Sequence, residues 1–254
     1  AMIVMGKNPS MHTFFLTVTI LWIALVESVV IYWLVVAFNL LDITTIWTYS
    51  SIWAWLAIWL AAMWSWIWEG LLISWALKAM WRNPSIKWKI MAFMVLFVAL
   101  VEVVAIYWLL IAFNITWLGI ENAWLIWAWC AIWFAWVWVA IGQWFAAWKS
   151  LELMGQNPKM IWFFLTLTIL GLALVESVAI YGLIVSFSII WAIETLSISA
   201  WIWAWLAIWV AWLWAWLWEG LLIKGAFSAI VNAPESKWKI MAFMVLFVAL
   251  VEVV

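Results

Sequence analysis

Glu27, Glu102, Glu176 and Glu252 each interrupt a long aliphatic run, in the strings ALVESVVIYW, ALVEVVAIYW, ALVESVAIYG and ALVEVV. Each lies eighteen residues after one of the chain's four prolines, Pro9, Pro84, Pro158 and Pro234. At 1.5 Å of rise per residue, that offset less a few loop residues places each carboxyl roughly 20 Å along a helix. This is near the middle of a ~30 Å hydrocarbon core. A charge at that depth costs about 2.5–3.5 kcal/mol or more, which is why intramembrane carboxylates mark ion and proton pathways. Hydrocarbon favours the neutral carboxyl until a cation compensates the charge, a property suited to loading and unloading an ion. Four such residues at one depth argue against the simpler role of a protonated interhelical hydrogen-bond donor.

A second polar residue recurs in the other half of each repeat, as Glu69, Gln143 and Glu219. In the third repeat Gln143 can supply an amide oxygen, Glu176 a carboxylate and Ser177 a hydroxyl. Tyr181, four residues after Ser177 and so on the same helical face, is expected to hydrogen-bond the carboxylate. Hard cations want several oxygens at once, and this set suits Na+ better than a bare proton, so Na+ is expected at Gln143, Glu176 and Ser177. The first repeat carries Glu27, Ser28 and Tyr32. The second keeps Tyr107, replaces the serine by Val103 and offers Glu69 in place of glutamine; Val253 likewise stands where a serine would be. Two adjacent carboxylates share a proton, so those sites read as Na+ or H+ sites. Glu69 and Glu219 also admit a simpler role as satisfied core carboxyls.

The elements that must position these residues follow from composition. Of 254 residues 73% are hydrophobic and only 8% charged, with a formal net charge of -1 and a mean hydropathy of +1.24. A soluble domain carries about 25% charged residues, so a soluble enzyme and a nucleic-acid binder are both excluded. A single cysteine, Cys130, excludes a disulfide framework and a multi-cysteine metal site. His12 stands alone at a helix start and reads as interfacial, Cys130 as packing, and no phosphate-binding loop is present. The expected fold is all-α, built of transmembrane hairpins repeated about every 75 residues.

Spans are expected near 13–41, 51–80, 88–115, 124–150, 161–190, 199–231 and 239–254, about seven in all. The segment KWKIMAFMVLFVALVEVV occurs unchanged at 87–104 and 237–254, so repeats pair as one with three and two with four. The hairpins divide as 1–50 (the outer helix of a truncated first hairpin), 51–123, 124–198 and 199–254 (a truncated fourth). Both ends look cut, and a longer chain is expected. All ten basic residues lie in or beside the proline loops, whereas the opposite connections carry Asp42, Glu121 and Glu194. By the positive-inside rule the proline loops face the cytoplasm.

Tryptophan is the anomaly: 33 Trp against 9 Gly. Natural Trp gathers at the membrane boundary, and small residues are what lets membrane helices approach. Here Trp alternates through mid-membrane, as in SIWAWLAIWLAAMWSWIWEG. The repeats exchange it with glycine: Trp22 aligns with Gly171, Trp33 and Trp108 with Gly182, Trp75 with Gly225, and Trp81 with Gly6 and Gly155. Trp68 and Trp218 align with Gly142, while Gly70 and Gly220 align with Trp144. No steric environment accepts the largest and smallest side chains alike. UGA encodes tryptophan in some genetic codes and glycine in others, and a glycine-rich protein translated with the wrong code is expected.

Read with glycine at the Trp positions, 53–70 becomes GAGLAIGLAAMGSGIGEG and 141–158 becomes IGQGFAAGKSLELMGQNP. Together with the Arg82-Asn83-Pro84 and Gln156-Asn157-Pro158 loops and the outer-helix glutamates, this resembles the c subunit, or proteolipid, of rotary F-type and V-type ATP synthases. The resemblance implies a non-catalytic rotor-ring subunit that moves Na+ or H+ through its glutamates. It implies other rotor hairpins in a ring, a stator subunit with an essential arginine, central stalk subunits docking on the polar loops, and a lipid bilayer as partners. No cofactor is implied beyond the transported ion, and a prokaryotic inner membrane is the expected location. Unlike V-type proteolipids, every hairpin here keeps its carboxylate. The alternative is a non-rotary channel or structural membrane proteolipid.

Overall fold

A computed structural model of the chain describes residues 2–7, 9–41, 49–118, 125–192, 195 and 197–252, in which every regular element is helical. The helices are α1 (Met2–Lys7), α2 (His12–Val26), α3 (Ser28–Leu41), α4 (Tyr49–Arg82), α5 (Lys87–Leu118), α6 (Ile126–Gln156), α7 (Ile161–Trp191), α8 (Ile198–Asn232) and α9 (Lys237–Glu252). The long elements run 31 to 35 residues, more than the ~20 a membrane crossing needs. Four stretches, Pro9–Leu40, Ser51–Arg82, Pro84–Trp117 and Pro158–Trp191, are long and apolar enough to cross a membrane by length and composition.

Each proline opens a single 3-10 turn: Pro9–Met11, Pro84–Ile86, Pro158–Met160 and Pro234–Ser236. Proline cannot donate a helical hydrogen bond and forces its predecessor out of the helical region. Asn83, Asn157 and Ala233, which precede three of these prolines, have φ of -138°, -126° and -137° and ψ of 84°, 70° and 71°. One backbone geometry therefore ends three helices. A loop so short makes the flanking helices antiparallel neighbours, and α4 packs on α5, α6 on α7, and α8 on α9.

The hairpins stand side by side in two layers. One layer is α4, α6 and α8, with α6 packed between the other two; the second runs from α3 through α5 and α7 to α9. Repeat-equivalent positions fill the space between them. Phe15, Ile90 and Phe164 are each wholly buried, and Phe164 meets Phe227 of α8 with ring centroids 5.9 Å apart. The second layer exposes the opposite kind of surface: Ile20, Ile31, Leu34, Phe38, Ile106, Leu110, Ile180 and Ile184 face outward. An apolar face of that extent calls for lipid or another protein. In the first hairpin a single turn residue, Glu27, with helical φ of -73° and ψ of -14°, separates α2 from α3 within the one apolar stretch Pro9–Leu40, and its carbonyl accepts the backbone N–H of Val30.

Candidate functional site

The best-formed polar contact lies between α5 and α7. Glu176, on α7, accepts a hydrogen bond at 2.9 Å from the hydroxyl of Tyr107, which belongs to α5 of the preceding hairpin. Both groups are partly buried. Neighbouring outer helices are thus joined at mid-span by a hydroxyl and a carboxylate, a charge-assisted bond when the carboxylate is ionised. Gln143, on α6 of the same hairpin as Glu176, is wholly buried, and neither its amide oxygen nor its amide nitrogen has a hydrogen-bond partner. A buried amide without a partner is costly.

The tyrosine at Glu176 is not the one the sequence suggested. Tyr181 is 49% exposed on the outer layer, and the Glu176 carboxylate is met by Tyr107 instead. The same-face spacing is real, but successive side chains on one helix point in parallel, whereas a hydroxyl arriving from the adjacent helix can meet the carboxylate head-on. The signal was present in the sequence: a tyrosine follows the glutamate by five residues in each of the first three repeats. Only the side-by-side packing shows that it serves the next repeat. Ser177 turns its hydroxyl to the carbonyl of Leu174 at 2.7 Å.

In the second repeat, Glu69 on α4 is wholly buried with no hydrogen-bond partner for either carboxyl oxygen. It lies close enough to Glu102 of α5 for the two charges to interact. Tyr32 on α3 is within electrostatic reach of both Glu102 and Glu69. Glu219, equivalent to Glu69 on α8, is wholly buried. Glu27 is exposed beside Thr19, Trp22, Ile23, Val26, Ile73 and Leu77. The side chains of Ser28 and Glu252 fall outside the described residues.

Two buried polar contacts that the sequence reading missed tie α6 to α7. Thr168 donates to the Ser150 hydroxyl at 2.5 Å, and Ser186 donates to the Ala128 carbonyl at 2.9 Å. Single serines and threonines in apolar helices gave no periodic signal.

The loops are built from their own side chains. Asn83 accepts from the Ser85 hydroxyl at 2.6 Å, and the Asn157 amide donates to the Leu153 carbonyl at 3.3 Å. Arg82 and Pro84 are exposed, as is Gln156, whose amide reaches Glu152 at 3.4 Å; Pro158 is partly exposed. Glu152 also pairs with Lys149 at 2.9 Å. Above the loops, lysines lie over aromatic rings of the rim, among them Lys87 over Phe14 at 4.7 Å and Lys237 over Phe163 at 5.2 Å. His12 contacts the Met5 carbonyl at 2.9 Å, and Cys130 is half-buried in α6.

Paired antiparallel helices repeated in two layers, with carboxyls at mid-span and a polar loop at one end, define a membrane hairpin array. Residues 52–115 and again 126–189 match the ATP synthase c-subunit family. The chain belongs to that family. No curated protein sequence matches it. Both matched stretches correspond to whole hairpins, α4 with α5 and α6 with α7.

Proposed function

We propose that the chain is a rotor-ring subunit of a rotary ATP synthase or ATPase, contributing several hairpins at once and carrying Na+ or H+ on its mid-membrane glutamates. The observation that carries this reading is the Tyr107–Glu176 bond, made between the outer helices of two hairpins. The carboxylate is held in a defined position by a neighbour, and Gln143 on the inner helix of the same hairpin is buried without a hydrogen-bond partner. In the loaded state a cation neutralises Glu176 and takes oxygen from Gln143, with the Ser177 hydroxyl turning from its own backbone to join them. Leaving this position exposes the carboxylate to a stator, where an arginine replaces the lost cation before the site reloads.

Glu102 with Glu69, and Glu252 with Glu219, form the corresponding sites of the flanking hairpins. A serine is replaced by Val103 and Val253 there, so these sites favour H+ relative to the Glu176 site. Glu27, with Ser28 and Tyr32, completes the set in the first hairpin. Seven spans, hairpins bounded near 51–123 and 124–198, and a prokaryotic inner membrane with the proline loops on the cytoplasmic side accompany this reading. Those loops, around Arg82-Asn83-Pro84 and Gln156-Asn157-Pro158, dock on the central stalk. The test is labelling of the glutamates in native membranes by a hydrophobic carbodiimide. Modification of Glu176 that Na+ slows supports the proposal. Indifference of every glutamate to both Na+ and pH sinks it.

A further inference from the structure

The inner layer repeats one contact, and the occupants of that contact conflict. Trp53 on α4 meets Trp129 on α6 with ring centroids 6.0 Å apart, and Trp127 on α6 meets Trp205 on α8 at 5.1 Å. By the repeat these are one pair, since 53 corresponds to 127 and 129 to 205. Fifteen residues further along each helix the same rule pairs 68 with 144 and 142 with 220. Between α4 and α6 the occupants are Trp68 and Trp144, with ring centroids 5.2 Å apart. Between α6 and α8 they are Gly142 and Gly220, so close that a Cβ on Gly220 would lie 2.9 Å from the Gly142 Cα. One seam brings backbones into contact; its twin interposes two indoles.

These two columns flank the buried polar residue of each inner helix, in the strings Trp68-Glu69-Gly70, Gly142-Gln143-Trp144 and Trp218-Glu219-Gly220. Reading glycine throughout gives one motif, Gly-Glu/Gln-Gly, three times. A further column behaves alike: a Cβ on Gly155 would meet Ala79 at 3.0 Å, yet its equivalent in the second repeat is Trp81. Polar accounting agrees. The indole N–H groups of Trp22, Trp53, Trp127, Trp129, Trp144 and Trp148 are buried without an acceptor. A buried tryptophan ordinarily finds one, and each omission costs about 1–3 kcal/mol.

A contrasting set shows what tryptophan looks like when the environment suits it. Trp88, Trp162 and Trp238 occupy one column without a glycine among them, at 60%, 60% and 61% exposure beside the loops. Each meets the equivalent residue of the preceding hairpin: Trp88 lies 5.1 Å from Phe14 and Trp238 lies 5.2 Å from Phe163, both edge-on, and Lys89 lies over Trp162 at 5.7 Å. That is the position of an interfacial aromatic belt.

We propose that the inner-seam tryptophans Trp68 and Trp144 are glycine in the protein as its own cell makes it. Their codons are UGA read by a glycine tRNA, and the rim residues Trp88, Trp162 and Trp238 are UGG tryptophans. The seam between α4 and α6 then closes at this level as α6 closes on α8. This inference stands on packing and holds whether or not the chain turns as a rotor.

The test joins the nucleotide sequence to peptide sequencing, by tandem mass spectrometry, of the protein purified from its native membrane. The expected result is UGA at positions 68 and 144 with glycine in the corresponding peptides, and UGG with tryptophan at the three rim positions. UGG at 68 or 144, or tryptophan in the peptides that span them, overturns the proposal. UGA at the rim positions also overturns it, because codon choice would then not follow packing.

Discussion

Replacing Tyr107 by phenylalanine removes one hydroxyl and tests whether a site is completed across hairpins. Tyr107 donates to Glu176 at 2.9 Å, and phenylalanine keeps the ring and its packing. Hydrogen bonds to charged groups contribute about 1.5–3 kcal/mol in proteins at large, but interhelical ones in membranes average about 0.6 and reach about 1.7 kcal/mol. A loss near 1 kcal/mol follows for the ionised, cation-loaded carboxylate, or roughly fivefold in affinity. The assay is the Na+ concentration that half-protects Glu176 from a hydrophobic carbodiimide, read by mass on the Glu176 peptide with Glu102 as internal control. Tyr107→Phe raises that concentration about fivefold and leaves Glu102 unchanged. Tyr181→Phe, at a half-exposed position, leaves Glu176 unchanged. The reverse pattern, in which Tyr181→Phe moves Glu176 and Tyr107→Phe does not, would refute the assignment.

Other outcomes follow from single contacts. Gln143→Leu removes an amide that has no hydrogen-bond partner, so the assembly keeps its thermal stability. The same change weakens Na+ protection of Glu176 on the order of tenfold to a hundredfold, the range for disturbing a metal ligand's surroundings. Gly220→Ala drives a Cβ to 2.9 Å from the Gly142 backbone and lowers stability by about 1–3 kcal/mol, the cost of overpacking. Gly70→Ala, with nothing within 4 Å of its added Cβ in the single chain, is neutral or stabilising there; unfolding temperatures of the detergent-solubilised monomer distinguish the two. Thr168→Val breaks the bond to Ser150 at a cost of about 0.6–1.7 kcal/mol. Adding Ser150→Ala to it recovers part of that loss in the same assay, because no unpaired hydroxyl is left behind.

What was legible in the sequence was whatever repeats. The prolines located the turns because proline ends helices by a local steric rule, and the same φ and ψ recur before Pro84, Pro158 and Pro234. The buried positions of Glu69, Gln143 and Glu219 were marked as polar residues in apolar runs. What escaped was set by neighbours rather than by the residue's own helix. Tyr107 and Tyr181 share a local sequence context, and only lateral packing shows that Tyr107 meets Glu176. The alternation of Trp with Gly was plain in the alignment, but its meaning for packing required the Gly142–Gly220 contact.

The central claim is that these glutamates carry ions by turning past a stator rather than by lining a fixed pore. ATP-driven ion uptake by the reconstituted complex, measured together with ATP hydrolysis in a Glu176→Gln variant, tests it most directly. A rotor with one blocked site in each chain stalls, so hydrolysis and uptake fall together to background while the assembled complex remains intact. Uptake that persists through the unaltered Glu102 site would contradict the account, because only independent pores could continue to conduct.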